Sequence, residues 1–197
     1  MFKKFSVIIS TTLFIFILSA CSSNVSSASK QTSKNEINEI PTEVTNFVTN
    51  FNNILDKNGS STNTAKLPKN LKIEKEQGYQ DTTLYVISLI DHQNVKGKNV
   101  ELGNINNFRV ILDDKQKEIK RITYLGDDPN AFLLSLESLK IDTTQEVKNM
   151  LEDIRIKIDR KDQKVESGAI TKKYQVTFTY DSNSPTALLN FTLEKNN

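Results

Sequence analysis

Tyr174-Gln175-Val176-Thr177-Phe178-Thr179-Tyr180 sets apolar and polar residues in strict alternation. After Asp181-Ser182-Asn183-Ser184-Pro185, the residues Ala187, Leu189, Phe191 and Leu193 repeat the pattern. Successive side chains of a strand point to opposite faces, so a period of two in both runs predicts a sheet with one dry and one wet face. The dry face must be covered, and segments of helical period elsewhere in the chain are there to cover it. The fold class predicted is therefore α+β, with antiparallel strands and amphipathic helices packed on one face.

Working back from this pair, Ile154, Ile156 and Ile158 alternate with charged residues and read as a further strand. Asp127-Asp128-Pro129 offers an N-cap followed by a proline at the first helical position, and Phe132, Leu133, Leu136 and Leu139 supply an apolar stripe. Asp142-Thr143-Thr144-Gln145 resembles a second cap, followed by Val147, Met150, Leu151 and Ile154. Two short helices with a break near Asp142 are expected. Further upstream, residues 71–75, 82–90, 108–112 and 119–125 read as strands. Leu84-Tyr85-Val86-Ile87-Ser88-Leu89-Ile90 is apolar on both faces, which predicts a central position in the sheet. Asp113-Asp114-Lys115-Gln116-Lys117 reads as a hairpin turn between two of these strands. Val44, Phe47, Val48, Phe51, Ile54 and Leu55 recur at steps of three and four after Pro41, and Gly59 is a stop signal, so a helix begins near Thr42. Helix-then-strands thus occurs twice. Either two small units, residues 41–126 and 127–197, or one larger sheet with helices on one face satisfies this order.

Residues 1–20 have the three parts of an export signal: a basic start at Lys3 and Lys4, an apolar run, and small residues before a cysteine. The run from Val7 to Leu18 is shorter than the roughly 20 apolar residues a membrane-spanning helix needs. Residues 21–40 are rich in Ser, Asn and Lys, a composition that buries too little apolar area to offset ordering entropy, and are expected to act as a flexible tether. A coil of this length reaches roughly 25 Å. Lys and Arg number 26 against 24 Asp and Glu in the 197 residues, and two of those lysines belong to the leader, so the body is close to neutral. No block of like charge suggests nucleic acid as a partner. Cys21 is the single cysteine, so the body folds without a disulfide.

Leu18-Ser19-Ala20-Cys21 resembles the lipobox of bacterial lipoproteins of the Gram-positive type: an aliphatic residue, two small ones and cysteine. The resemblance implies a diacylglyceryl thioether on Cys21, cleavage between Ala20 and Cys21, and placement on the outer face of the cell membrane. Two acyl chains make such an anchor stable where one, at about 0.8 kcal/mol per buried CH₂, is marginal. Gln93-Asn94-Val95-Lys96-Gly97 resembles the Q-x-V-x-G loop of cystatins and follows a helix and a buried strand, as in that family. The body is accordingly similar to cystatin-like-fold lipoproteins, or to paired cystatin-like or NTF2-like units. A cystatin's second loop carries a tryptophan, and this chain has none.

Chemistry-bearing constellations are few. His92 is the single histidine, set in a polar connection with no serine elbow motif to serve. Asp113-Asp114 and Asp127-Asp128 lack the spacing of a calcium loop and read as turn and cap residues. No catalytic residue, metal site or cofactor is expected. The function expected is non-enzymatic: a membrane-anchored extracytoplasmic lipoprotein whose domain binds an envelope protein or a small ligand. Two alternatives are a carrier with an apolar pocket lined by Tyr85, Phe108, Tyr124 or Phe178, and a protease inhibitor contacting its target through Gln93, Val95 and Gly97.

Overall fold

The alternating C-terminal run forms two paired strands, β6 (Tyr174–Asp181) and β7 (Leu189–Lys195), with Val176 opposite Leu193 and Phe178 opposite Phe191. This is a computed structural model, and it describes residues 39–58, 64–90, 107–184 and 188–196. Tyr174, Val176, Phe178, Leu189, Phe191 and Leu193 are all buried, so the predicted dry face is real. Around this pair the described residues build one antiparallel sheet of seven strands. Its other members are β1 (Glu74–Gln77), β2 (Thr83–Ser88), β3 (Asn107–Leu112), β4 (Ile119–Gly126) and β5 (Lys164–Ile170), in the order β1-β2-β3-β4-β7-β6-β5. The pairing of β4 with β7, from Arg121–Glu194 to Gly126–Leu189, joins strands from either side of residue 126.

Three helices complete the α+β fold: α1 (Thr42–Asn58), α2 (Pro129–Ser138) and α3 (Gln145–Asp159). Phe47 and Phe51 of α1 meet the ring of Phe108 on β3 at 6.2 and 5.9 Å. Phe132 of α2 meets Phe178 and Phe191 at 4.9 and 5.1 Å. Val147, Met150 and Ile154 of α3 belong to the same buried cluster, so the helices share one core with the sheet. Burying each such side chain stabilises the fold by about 1.5–3 kcal/mol. No helix among the described residues is long and apolar enough to cross a membrane.

The helix starts follow their caps. Asp128 accepts from the Asn130 amide at 2.9 Å with Pro129 at the first helical position, and the Thr144 hydroxyl accepts from Val147 at 3.4 Å. Between the two helices, Lys140 adopts φ 57°; its amide donates to Glu137 and that of Ile141 to Leu136, the pairing that closes a helix with a left-handed residue.

Three expectations need correction. Ile154, Ile156 and Ile158 are not a strand: α3 runs to Asp159, Ile154 continues the stripe of Val147 and Met150, and Ile156 and Ile158 are left exposed. The strand is β5, ten residues further on, which places only Val165, Ser167 and Ala169 toward the core and so carries a faint pattern. The apolar β2 is not central either. It lies next to the edge, with Ile87 in the main core while Val86, on the opposite face, is buried beside its partner Ile111. Residues 71–73 precede β1 rather than form it; Leu71 and Ile73 rest against the core, and the paired segment begins at Glu74.

Both edges of the sheet are protected against pairing with another chain. All four residues of β1 are exposed and three are charged, and Glu76 is ion-paired to Arg109 of β3. At the other edge α3 covers β5: the Lys157 ammonium donates to the Glu166 carbonyl at 2.6 Å and the Ser167 hydroxyl to Asp153, also at 2.6 Å.

Candidate functional site

The residues singled out from the sequence are scattered by the fold. Ala20, Cys21, His92, Gln93, Val95 and Gly97 lie outside the described residues. Asp113 shapes its turn by accepting from the amides of Lys117 and Glu118 at 2.7 and 3.0 Å. Burial opposes its ionisation, but these bonds outweigh that and hold the carboxyl below its ordinary range. Asp128 is the helix cap already described. Among the described residues no group of three or more metal-ligating side chains converges.

The aromatic residues offered as a pocket lining fill the core instead. Phe108 touches Phe47, Phe51, Tyr124 and Phe191 in edge-on or T-shaped contacts, and Tyr124 stacks on Phe191 at 5.1 Å. Phe178 packs on Phe132. Tyr85 is half-buried, with the Lys75 ammonium 5.9 Å above its ring. The Tyr124 hydroxyl accepts from the Asp128 amide at 3.0 Å, and burial pushes its pKa up to about 12.

A cleft of about 390 Å³ opens elsewhere, at the end of the sheet beside the first turns of α1. Helix α1 contributes Glu43, Asn46, Phe47 and Asn50 to it, and the end of α2 contributes Ser138, Leu139 and Lys140. The β5–β6 turn and the strand after it bring Lys172, Lys173 and Tyr174, and the end of β7 brings Lys195 and Asn196.

Each wall is fixed by local chemistry. The buried Thr171 hydroxyl accepts from the amides of Lys173 and Tyr174, at 3.2 and 2.9 Å, and donates to the Tyr174 carbonyl at 3.0 Å. That knot sets the turn carrying Lys172 and Lys173, and Asn196 braces it by donating to the Thr171 carbonyl at 2.8 Å. Asn50 joins α1 to the end of α2 by donating to the Ser138 carbonyl at 3.3 Å. Lys140 stands at the left-handed position where glycine costs least, a conformation worth about 1–2 kcal/mol of strain to a side-chain-bearing residue.

Glu43 is the internal counter-ion. Its carboxylate accepts from the Ile119 amide at 2.8 Å, from the Tyr174 hydroxyl at 3.5 Å and from the Lys195 ammonium at 3.2 Å. Lys195 also reaches Glu118 at 2.8 Å. Burial works against the charge on Lys195, yet the bonds to Glu118 and Glu43 win and raise its pKa. Burial, then the nearby Glu43 charge, pushes the Tyr174 phenol up to about 12. Lys195 is thus shared between Glu43 and Glu118, and the three together keep one negative charge. Lys140, Lys172 and Lys173 are exposed and have no carboxylate within ion-pair distance among the described residues, which leaves the cleft positive.

None of the four lysines stands out in the sequence, because they come from three separated stretches and only tertiary structure gathers them. The adjacent pair Lys172-Lys173 at a turn was the single local signal. Fold and site together define an α+β domain with one open antiparallel sheet and a basic cleft at the end where its first helix begins. No protein-family model, curated protein or solved structure matches the chain.

Proposed function

We propose that this chain is a lipid-anchored protein of the extracytoplasmic membrane face whose α+β body binds a partner or ligand rather than transforming one. The observation that carries the reading is Leu18-Ser19-Ala20-Cys21, in which the single cysteine of the chain follows an apolar run and two small residues. A diacylated Cys21 gives salt-resistant anchoring, and the tether at residues 21–40 gives the body its distance from the headgroups. The body needs no disulfide, in keeping with a chain whose one thiol is given to lipid. A binding role is favoured by the sequence, which offers one histidine and no serine elbow for nucleophilic catalysis.

The test is expression of the full chain in a bacterium fed a labelled fatty acid. The chain is expected to take up label, stay with membranes through a high-salt wash and have the mass of a diacylated form starting at Cys21. Cys21→Ala is expected to lose all label. Recovery of the wild-type chain with residues 1–20 attached and the Cys21 sulfur unmodified would overturn the anchor. Turnover of a peptide, lipid or glycan substrate by the detergent-extracted protein would overturn the binding role.

A further inference from the structure

We propose that the cleft between α1, the end of α2 and the β5–β6 turn is a binding site for a phosphate ester of a small polar alcohol. The charge argument comes first. Glu43 is already met by Lys195, Tyr174 and the Ile119 amide, and Lys195 is shared with Glu118, so the four lysines outnumber these two carboxylates by two charges. Lys140, Lys172 and Lys173 line one cleft and have no carboxylate within ion-pair distance among the described residues. Three lysines lining one concavity suit an anion with several terminal oxygens, since a long flexible stem lets each ammonium reach it and lysine binds phosphate as a point charge without the fixed fork an arginine needs.

Size and lining narrow the ligand. A volume of about 390 Å³ sits at the small end of ligand pockets, which run from roughly 300 to 1,000 Å³. Half-buried Leu139 gives an apolar wall for a few carbon atoms, and the exposed Asn46 amide adds a donor and an acceptor for hydroxyl groups. A nucleotide fits poorly, since a base needs an open aromatic face and the two rings here, Phe47 and Tyr174, are 1% and 3% exposed. Glu43, which lines the cleft, is in the first turn of α1 and follows residues 21–40 closely in the sequence.

This inference deepens the binding half of the proposed function. Its source of phosphate is either a lipid headgroup, which draws on the anchor, or a soluble ester, which does not. The experiment titrates the full chain, purified in neutral detergent, by calorimetry and amide NMR. One arm uses soluble glycerol phosphate; the other uses micelles doped with phosphatidylglycerol against micelles doped with phosphatidylcholine.

Shifts are expected at the amides of Lys140, Lys173 and Tyr174. In Lys172→Gln/Lys173→Gln the affinity is expected to fall about tenfold, two exposed charge pairs each being worth a few-fold. Lys57→Gln, at the far end of α1, is expected to leave affinity unchanged. Circular dichroism checks that the variants keep the fold. Saturable binding of glycerol phosphate that weakens about tenfold in the double variant supports a soluble ester. Binding confined to phosphatidylglycerol and weakened to the same extent in that variant supports a headgroup. No binding in either arm overturns the site, and so does binding that Lys57→Gln weakens as much as the double variant. Neither result touches the anchor, which is read separately from the mass of Cys21.

Discussion

Asn52 uses both ends of its amide on one residue. Its Nδ2 donates to the Leu67 carbonyl at 2.9 Å, and its Oδ1 accepts from the Leu67 amide at 2.8 Å. A helix side chain thereby imitates a strand partner and seats Leu67, 5% exposed, in the core. An unpaired backbone group buried away from water costs roughly 1–3 kcal/mol, so Asn52→Ala is expected to destabilise the protein by about 2–4 kcal/mol. Denaturant unfolding checks the loss, and fast hydrogen exchange at the Leu67 amide shows that it comes from this pair. A variant with unchanged midpoint and a protected Leu67 amide would count against the account. Gly78 carries a constraint of the opposite kind. A Cβ there would lie 2.6 Å from Thr82 Oγ1 and 2.9 Å from Leu84 Cγ. Gly78→Ala is expected to cost about 1–3 kcal/mol by overpacking, seen in the same unfolding experiment.

At the scale of elements, helix starts were legible, and so was the end of α1, which stops at Asn58 before Gly59; the end of α3 was not. The chemistry of a cap is local: Asp128 with Pro129, and Thr144 two residues past Asp142, act on amides within their own turn. Asp128→Ala is accordingly expected to cost about 1 kcal/mol and lower the melting temperature by roughly 2–4 °C in a chain of this size, which thermal unfolding would detect. The end of α3 was misread because Ile154, Ile156 and Ile158 satisfy a period of two by accident, while the signal that ends the helix, a left-handed Lys161 at φ 62°, has no glycine to announce it. The strand β5 was missed for a different reason. It is an edge strand whose core face holds Val165, Ser167 and Ala169, two of them small, because α3 lies over it and leaves little room. Packing chose those residues, and packing is not visible in a window of seven.

The whole molecule depends on a pairing between residues far apart in the chain, since β4 meets β7 with more than sixty positions between them. Antiparallel strands and covering helices could be read locally, but whether residues 41–126 and 127–197 share a sheet could not. The cleft belongs to the same category, because its lysines come from α2, the β5–β6 turn and β7. The two tyrosines that tie these parts together supply a test at this scale. Tyr124, under the start of α2, and Tyr174, beside Glu43, are pushed by burial from the ordinary 10.0 up to about 12. In the unfolded chain both phenols ionise near the ordinary value, while in the folded chain they stay protonated, so the stability they contribute is complete below pH 10 and drains away as pH rises toward about 12. Lys195, its pKa raised, adds in the same direction. Unfolding free energy is therefore expected to drop across that window, with two of the five tyrosines acquiring phenolate absorbance only as the fold is lost. Tyr174→Phe should make the drop shallower without abolishing it. Ionisation of Tyr124 and Tyr174 near pH 10 in a chain that remains folded would mean that these hydroxyls face water, and the packing of both halves around them would have to be wrong.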